Sequence, residues 1–571
     1  MALRPAARIA GTRPYRVPRA ATPMDLFLDG NEGARPPEEL LRWVSELSPE
    51  VLRRYPSTRT LEKELAERLG VDPKEVLVTA GADDALDRIA RAVMEEGRNM
   101  VVAAPTFEMI PRYGAMAGGE IRRVRGDGPR FPLQEILAAV DEETALVVAV
   151  TPNNPTGVVA SREELEELAR CCPNALVLVD HAYVEFCEED FTGRAVELEN
   201  VVVTRTFSKA LGLAGARVGY AVASSRLIEW LETAGHPYAV SGLSVEVARR
   251  WLREGTEEVA GFIETVKRER VRLEKSLEGV GARVLPSGAN FVFAFVEDGL
   301  WWRDGLAGQG IAIRAFPGVE GMEGAIRIAC PGNQAEMERL EKAIEIVGRP
   351  EAILFDLDGV FADVSRSYRE AIVQTAASFG VEVNEEEIRG VKARGNANND
   401  WRVTQELLAA AGVEASLEEV TRRFEELYQG SEDVPGLWQR ESMLIEKRFL
   451  EELAARGVKM GIVTGRPRKD GNRFLDHFEI REFFEALVCM EDGPLKPDPW
   501  PVQEGLRALG VERALFIGDT PDDIRAGRAA GVLPLGVCAP GDDGDEMEEA
   551  LLSAGAGRVL ASLEELIEVL G

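Results

Sequence analysis

Cysteine is scarce in this 571-residue chain: there are six, with no CxxC pair and no regular spacing. That excludes a disulfide framework, and the adjacent Cys171 and Cys172 are poorly placed to bridge each other. The expectation is reduced, mostly buried thiols and a cytoplasmic protein. Long apolar runs are absent too. None approaches the roughly 18 to 20 residues needed to span a bilayer, so a soluble protein with no membrane partner is expected. Net positive charge is lacking, since 67 Lys and Arg face 98 Asp and Glu for a formal charge of −31. Nucleic acid and anionic lipid surfaces are repelled at long range, so neither is an expected partner. No repeat of 20 to 50 residues is present, and the acidic "GDDGDEMEE" near the end reads as a solvated loop and helix start. The opening "MALRPAARIAGTRPYRVPRAATPM" has arginines and no acid, as transit peptides do. Its prolines break any amphipathic helix and no apolar core follows, so residues 1–22 are expected to form a surface arm.

What is present is a globular composition, 45% hydrophobic and 29% charged. The length predicts two or three domains and at least two sizeable cores. From about residue 60, apolar runs alternate with amphipathic stretches: "EVLVTAG", "MVVAAP", "ALVVAVTP", "ALVLVD", "VVVTRTFS". This is the rhythm of a largely parallel sheet covered by helices, an α/β fold. At "IEIVGRPEAILFDLDGV" a helix closes at Gly348 and Pro350 blocks its continuation. The rhythm then restarts with "AILFDLD", "KMGIVTG", "ALVCMED", "ALFIGDT" and "LPLGVC". Two domains, residues 23–347 and 351–571, are expected around a linker at 348–350. The strands vanish between about 364 and 440, where the chain turns helical and charged, as expected of a cap inserted into an α/β core. Ligands of open α/β sheets gather at the carboxyl ends of strands, and the motifs below sit at such ends.

In "TRTFSKALGLAGARVGY", Thr204 to Tyr220, a strand delivers Thr206, Ser208 and Lys209, then a small-residue turn and Arg217. A lone lysine would be an ordinary surface residue. The hydroxyls and the arginine make it a candidate Schiff-base lysine beside a phosphate, because the phosphate of pyridoxal 5′-phosphate needs hydroxyl, N–H and cationic donors. The ring nitrogen of that cofactor needs a carboxylate, and Asp180 at the end of "NALVLVD" is the candidate, a strand-end cap being the alternative. Tyr183 is within reach of the ring hydroxyl. Asn154 precedes Pro155 in "TPNNPTG", a pair able to be cis and to aim an amide at the ring oxygen. Gly81, Ala82 and Asp83 open a helix whose free N–H groups suit a phosphate.

Taken in order, "LDGNEG", "RRYPS", "GADDALD", "PTFEM", "TPNNPTG", "DHAY", "TFSKALGLAGARVGY", "PSGANFV" and "AIRIA" resemble the fold-type I aminotransferases, specifically the histidinol-phosphate aminotransferases. The resemblance spans residues 23–347. It implies Lys209 as the lysine bonded to pyridoxal phosphate, Asp180 on the pyridine nitrogen, Tyr183 and Asn154 on the ring oxygen and Phe107 on the ring face. It further implies a homodimer in which Tyr55 reaches the partner's cofactor phosphate, and Arg327 and Arg314 as substrate-anion residues. Two departures stand out. His181 occupies a position where the family often has Glu, and "NEGARP" replaces a "NENPYG"-like segment. The phosphate-binding Tyr is thereby missing, with Arg35 the candidate in its place.

In the second half, the pair Asp356 and Asp358 alone would read as a turn. Four partners follow on three further segments: Thr464 after "KMGIV", Lys496 in "GPLKPDP", and Asp519 and Asp523 in "FIGDTPDD". Phosphate-ester hydrolysis through an aspartyl intermediate needs a carboxylate nucleophile, an acid for the leaving oxygen and donors for the phosphoryl group. Asp356 fits the nucleophile, Asp358 the acid/base, and Thr464 and Lys496 the phosphate cradle. Asp356, the Asp358 carbonyl and Asp519 suit Mg²⁺, with Asp523 supporting from behind. These motifs resemble the phosphatase-like haloacid dehalogenases, implying a Rossmann-like core with a helical cap over residues 350–571.

The expected protein is bifunctional. A pyridoxal-phosphate aminotransferase for histidinol phosphate or imidazole-acetol phosphate, with glutamate or 2-oxoglutarate, is joined to a Mg²⁺-dependent phosphomonoesterase. The alternatives are transamination or decarboxylation of another (phospho) amino acid beside an unrelated phosphatase, and a catalytically silent C-terminal binding module.

Overall fold

The computed structural model describes residues 3–6, 8–10, 12, 14–15, 19–126, 128–393, 399–540 and 544–569. The rest of the expected arm, residues 1–2, 7, 11, 13 and 16–18, lies outside the described residues. Two compact units emerge. One is built chiefly from Leu28–Glu297 and Phe316–Arg339; the other combines Arg19–Phe27 and Asp298–Ala315 with Leu340–Gly571.

The first unit is centred on a seven-stranded sheet. Its order is Val76–Thr79, Gly219–Ala223, Val201–Thr206, Leu176–Asp180, Thr144–Val150, Asn99–Ala104 and Glu120–Arg125. Gly219–Ala223 runs antiparallel to both neighbours and the other pairings are parallel. The central strands are buried along their whole length, which explains their unbroken apolar runs. Side chains alternate between faces. Val147 and Ala149 meet Leu165 and Leu168 of the helix Arg162–Cys171, whereas Leu146 and Val148 meet Leu86 and Ile89 of the helix Gly81–Val93. Each valine, leucine and isoleucine among them contributes about 1.5–3 kcal/mol by leaving water. A capping box, Ser161 with Glu164, starts the helix Arg162–Cys171. A smaller antiparallel sheet contains Ala325–Ala329, Phe291–Phe295 and Arg283–Leu285, packed on the long helix Thr256–Gly279.

In the second unit six parallel strands are ordered Ala486–Val488, Lys459–Val463, Ala352–Phe355, Ala514–Gly518, Leu533–Val537 and Val559–Leu560. The first of these in the chain lies inside the sheet, with later strands added on both sides. That makes a topological switch point at the carboxyl end of Ala352–Phe355. Among the described residues the helices Tyr368–Ser378, Glu385–Ala393, Asp400–Ala410 and Leu417–Gln429 fill the stretch expected to be a cap. Tyr368–Ser378, Asp400–Ala410 and Leu417–Gln429 are joined around Ala376, Leu408 and Val420, and Glu385–Ala393 packs on Asp400–Ala410. The chain leaves and re-enters the core through a short antiparallel pair, Ala362–Asp363 with Ser442–Met443.

Pieces from before the 348–350 linker belong to this unit. Leu26–Phe27 pairs with Ile311–Ala312, and the helix Gly299–Gly308 packs against the strand Leu533–Val537. Thr22 Oγ1 donates to the Ala556 carbonyl at 2.5 Å, Gln309 Nε2 to that of Val532 at 2.7 Å, and Arg558 Nη2 to Asp304 at 3.0 Å. A Cβ on Gly308 would lie 2.8 Å from Gly557 Cα, so the two backbones touch where only glycine fits.

Candidate active sites

Lys209 follows the strand Val201–Thr206, and its Nζ donates to the Gly30 carbonyl at 3.0 Å and stands 5.6 Å from the Tyr183 ring centroid. Asp180 ends the neighbouring strand, buried, with Oδ1 accepting from Thr204 Oγ1 at 3.0 Å. Burial pushes its carboxyl up to about 6, against the pull of the Thr204 hydroxyl. The side chain after it points the other way chemically. His181 is buried, its Nδ1 is 2.7 Å from the Thr151 carbonyl, and its Nε2 accepts from the Phe191 N–H at 3.1 Å. The accepting Nε2 places the proton on Nδ1, and burial lowers the imidazole to about 4. His181 is thus a neutral strut behind the site.

Tyr183 is buried, its hydroxyl accepts from Asn31 Nδ2 at 3.2 Å, and its ring meets Phe291 edge-on at 5.2 Å. Asn154, which precedes a cis peptide, uses its Oδ1 to accept from Arg327 Nη1 at 2.6 Å. Arg327, buried mid-strand, also donates to the Asp29 carbonyl. Thr206 Oγ1 donates to Ser208 Oγ at 2.9 Å, and Arg217 Nη2 donates to Asp83 at 2.9 Å. Ala82 and Asp83 lie in the first turn of the helix Gly81–Val93, whose N-terminus has no side-chain cap. Arg217 itself is left-handed at φ 53°, an uncommon conformation for a long side chain. Phe107 packs half-buried against the core below.

Three further expected residues lie on other segments. Tyr55 is 81% exposed and stacks on Tyr238 with centroids 4.5 Å apart. Arg314 sits half-buried on the short strand Arg314–Ala315, in the second unit. Arg35 is exposed on the segment between Asp29 and the helix Glu39–Glu46. Other residues join that were not singled out. Asn31 holds Tyr183, and Tyr113 lies beside Asp83, where burial and that carboxylate push its phenol up. Gly33 lies so close to the Lys209 backbone that a Cβ would fall 1.8 Å from the Lys209 carbonyl oxygen. The "NEG" segment carried a signal for this, since its glycine sits next to two chemistry-bearing residues.

A cationic ring nitrogen beside Asp180 would offset the burial cost expressed in its raised titration. The uncapped helix start, Thr206, Ser208 and Arg217 supply the donor types a phosphate requires. The residues therefore fit pyridoxal phosphate.

In the second unit, Asp356 directly follows the strand Ala352–Phe355. Lys496 Nζ lies 2.9 Å from Asp356 Oδ1, 2.5 Å from Asp523 Oδ1 and 3.3 Å from the Val463 carbonyl. All three side chains are buried. Burial and the neighbouring Asp523 and Asp358 push Asp356 up while Lys496 pulls it down, and the two carboxylates push Lys496 up. Asp523 is committed twice. Its Oδ2 accepts from Thr520 N at 3.0 Å and Thr520 Oγ1 at 2.5 Å, completing the capping box of the helix Pro521–Ala530. Asp356, Asp519 and Asp523 bring oxygens within 4.8 Å of one another. Gly359, at φ 72°, borders the cluster: a Cβ there would lie 2.1 Å from Asp519 Oδ2. This crowd of carboxylates with one lysine suits a hard dication. Thr464 is buried, with its N–H donating to Val488 and its Oγ1 accepting from Arg466 N at 3.2 Å. Asp358 faces Arg466, a fully buried guanidinium that the motifs did not single out.

Residues 27–344 match the family of class I and II aminotransferases, and residues 353–537 match the haloacid dehalogenase-like hydrolases. The histidinol-phosphate aminotransferase of Thermoanaerobacter pseudethanolicus is 34% identical over 348 residues, 59% of this chain and 97% of that one. An aromatic amino acid aminotransferase of Corynebacterium jeikeium is 33% identical over 353 residues, 59% of this chain and 94% of its own. A Phytophthora nicotianae protein named imidazoleglycerol-phosphate dehydratase is 48% identical over 197 residues. That match takes in 33% of this chain and 44% of that protein, so this chain spans less than half of it. Among solved structures, the histidinol-phosphate aminotransferase of Sinorhizobium meliloti in complex with pyridoxal-5′-phosphate has 27% identity and a TM-score of 0.53, covering 57% of this chain and 91% of that one. Among the described residues no helix is long and apolar enough to cross a membrane. The chain belongs to the class I and II aminotransferases, a fold-type I pyridoxal-phosphate enzyme continued by a haloacid dehalogenase-like hydrolase domain.

Proposed function

We propose that the first unit transaminates histidinol phosphate, or in reverse imidazole-acetol phosphate, with 2-oxoglutarate or glutamate. In the same reading the second unit hydrolyses a phosphomonoester with Mg²⁺, and histidinol phosphate is the compound that links them. The observation carrying the first part is Lys209 at a strand end beside the buried Asp180. Its relation to a histidinol-phosphate aminotransferase over 97% of that protein's length supports the substrate. Bound there, pyridoxal phosphate supplies the electron sink for the substrate's α-carbon. Asp180 would hold the proton on the ring nitrogen, and Tyr183 and Asn154 are the residues that would serve the ring oxygen. Lys209 Nζ would serve as the base that moves the α-proton. Arg327, fixed by Asn154 and the Asp29 carbonyl, receives the carboxylate of the amino donor.

On the hydrolase, Asp356 is the nucleophile and Asp358 the acid/base. Lys496 and Thr464 hold the phosphoryl oxygens, and Asp356, the Asp358 carbonyl and Asp519 would hold Mg²⁺. We assign the exposed, stacked Tyr55 and Tyr238 to a homodimer interface, which would place Tyr55 at the partner's cofactor phosphate. An aromatic amino acid substrate is the second reading, favoured by the relative from Corynebacterium jeikeium. The deciding experiment presents histidinol phosphate, phenylalanine and tyrosine separately to the pyridoxal-phosphate-loaded protein and follows the cofactor absorbance. A response to histidinol phosphate supports the leading reading; a response confined to the aromatic amino acids replaces it. Release of phosphate from histidinol phosphate, stopped by EDTA and restored by Mg²⁺, supports the second half, and none with any phosphomonoester returns it to a silent module.

A further inference from the structure

Arg466 is among the largest fully buried side chains in the protein, and the two reactions described above leave it without a role. Burying a guanidinium costs several kcal/mol unless its charge and its N–H groups are matched. The matching groups come from separate elements. Nε donates to Oδ1 of Asp358 at 2.7 Å, Nη2 lies 2.5 Å from the same oxygen as an ion pair without hydrogen-bond geometry, and Nη1 donates to Glu441 Oε2 at 3.0 Å. The Tyr368 and Phe474 rings lie 4.9 and 5.2 Å from the guanidinium carbon. Glu441, itself buried, accepts from Tyr428 Oη at 2.8 Å, and Tyr428 packs on Tyr368 with centroids 4.3 Å apart.

The placement of these partners gives the cluster its meaning. Asp358 lies in the loop after the first strand of the hydrolase sheet. Glu441 immediately precedes the strand Ser442–Met443, by which the chain returns from the cap. Tyr368 and Tyr428 belong to the cap helices Tyr368–Ser378 and Leu417–Gln429. One guanidinium therefore touches the acid/base, the residue that opens the cap's return strand and the cap helix Tyr368–Ser378, and reaches the helix Leu417–Gln429 through Glu441 and Tyr428.

We propose that Arg466 is the positioning residue of the hydrolase acid/base: it pins Oδ1 of Asp358 and, through Glu441 and Tyr428, makes that carboxylate's placement depend on the seating of the cap. The proposal rests on the hydrolase reading of Asp356 and Asp358. With Oδ1 held by the Nε–H and the charge of Arg466, Oδ2 is the oxygen that exchanges the proton. As an Asp356 oxygen bonds to phosphorus and the ester P–O bond breaks, Asp358 gives its proton to the leaving oxygen. When water attacks the phosphorus, Asp358 takes a proton back, and inorganic phosphate and free Asp356 are released. Arg466 keeps its charge and its protons throughout. Lysine at this position would retain the charge without the planar fork.

The test uses the full-length protein with Mg²⁺ and two aryl esters of similar shape, phenyl phosphate and p-nitrophenyl phosphate. Phenol is the poorer leaving group and needs the acid more. General-acid assistance is worth roughly 10²–10⁴-fold. Arg466→Lys is expected to lower kcat on phenyl phosphate by about 10²-fold and on p-nitrophenyl phosphate by less than about tenfold, with KM for both nearly unchanged. Glu441→Gln, nearly isosteric, should shift kcat in the same direction by less and covers the case in which Arg466→Lys misfolds. A readout independent of turnover is hydrogen exchange in the metal-free protein, where either variant should speed exchange in the helix Leu417–Gln429. Equal losses on both esters, no loss on either, or unchanged exchange in that helix would overturn the positioning role. A wild-type protein inert toward both esters would instead remove the hydrolase reading itself.

Discussion

Asp180 and His181 are neighbours whose titrations oppose each other. The folded carboxyl of Asp180 is raised to about 6 by burial, so the native state holds that proton more tightly than the unfolded chain. Its stabilising contribution is present below about pH 4 and is lost as pH rises through about 6. His181, lowered to about 4, works the other way: the unfolded chain takes up the proton first as pH falls below about 6.5, and stability falls with it. Above pH 6 the ionised Asp180 is kept at a cost of about 3 kcal/mol, the equivalent of its shift. Asp180→Asn is therefore predicted to stabilise the cofactor-free protein at pH 7.5 against urea while weakening pyridoxal-phosphate binding and abolishing transamination. A destabilised Asn variant would contradict this account of the site. Gly359 gives a second prediction at this scale. A Cβ there meets Asp519 Oδ2 at a φ that alanine avoids, so Gly359→Ala should lower hydrolase kcat by about 10²-fold and leave transamination unchanged. Asp180, Asp356 and Lys209 were legible because each lies at or just after the end of an apolar strand, and Lys496 because of the "GPLKPDP" segment that carries it. Arg466 escaped it because its partners Asp358 and Glu441 lie on distant segments, and no local pattern encodes their meeting.

At the scale of elements, helix starts do more than begin helices. Asp523 is the third helical residue of Pro521–Ala530: one oxygen closes the capping box with Thr520 and the other holds Lys496. Thr520→Val should cost about 1 kcal/mol in stability, as loss of a cap does. It should also slow phosphate release by letting Asp523 turn, whereas Ser161→Ala, at a capping box of the other unit, should cost similar stability with the hydrolase unaffected. Thermal midpoints and phosphate release measured on both variants check this pair. The alternation of strand and helix and the helical stretch between the first two hydrolase motifs were legible, because buried parallel strands are apolar throughout and amphipathic helices are not. The antiparallel direction of Gly219–Ala223 was not, since the same buried run serves either direction.

Across the whole molecule, the sequence breaks at 348–350 while the packing of the second unit does not. Thr22, Asp304 and Gln309, all from before that point, bond to Ala556, Arg558 and Val532. Contacts between positions so far apart have no periodicity to read, so a clean junction was the natural sequence expectation. The segment 351–571 expressed alone lacks these partners and exposes Leu533 and Gly557. It is predicted to melt lower than the same unit in the full chain, and Asp304→Ala should reproduce part of that loss. The central claim is that two separate chemistries share the chain, and one assay meets it directly. Full-length protein, Lys209→Ala and Asp356→Asn are each given pyridoxal phosphate, Mg²⁺, histidinol phosphate and 2-oxoglutarate, and glutamate and inorganic phosphate are measured together. The account predicts that Lys209→Ala yields phosphate without glutamate and Asp356→Asn glutamate without phosphate; loss of both products in either variant, or of neither, would contradict it.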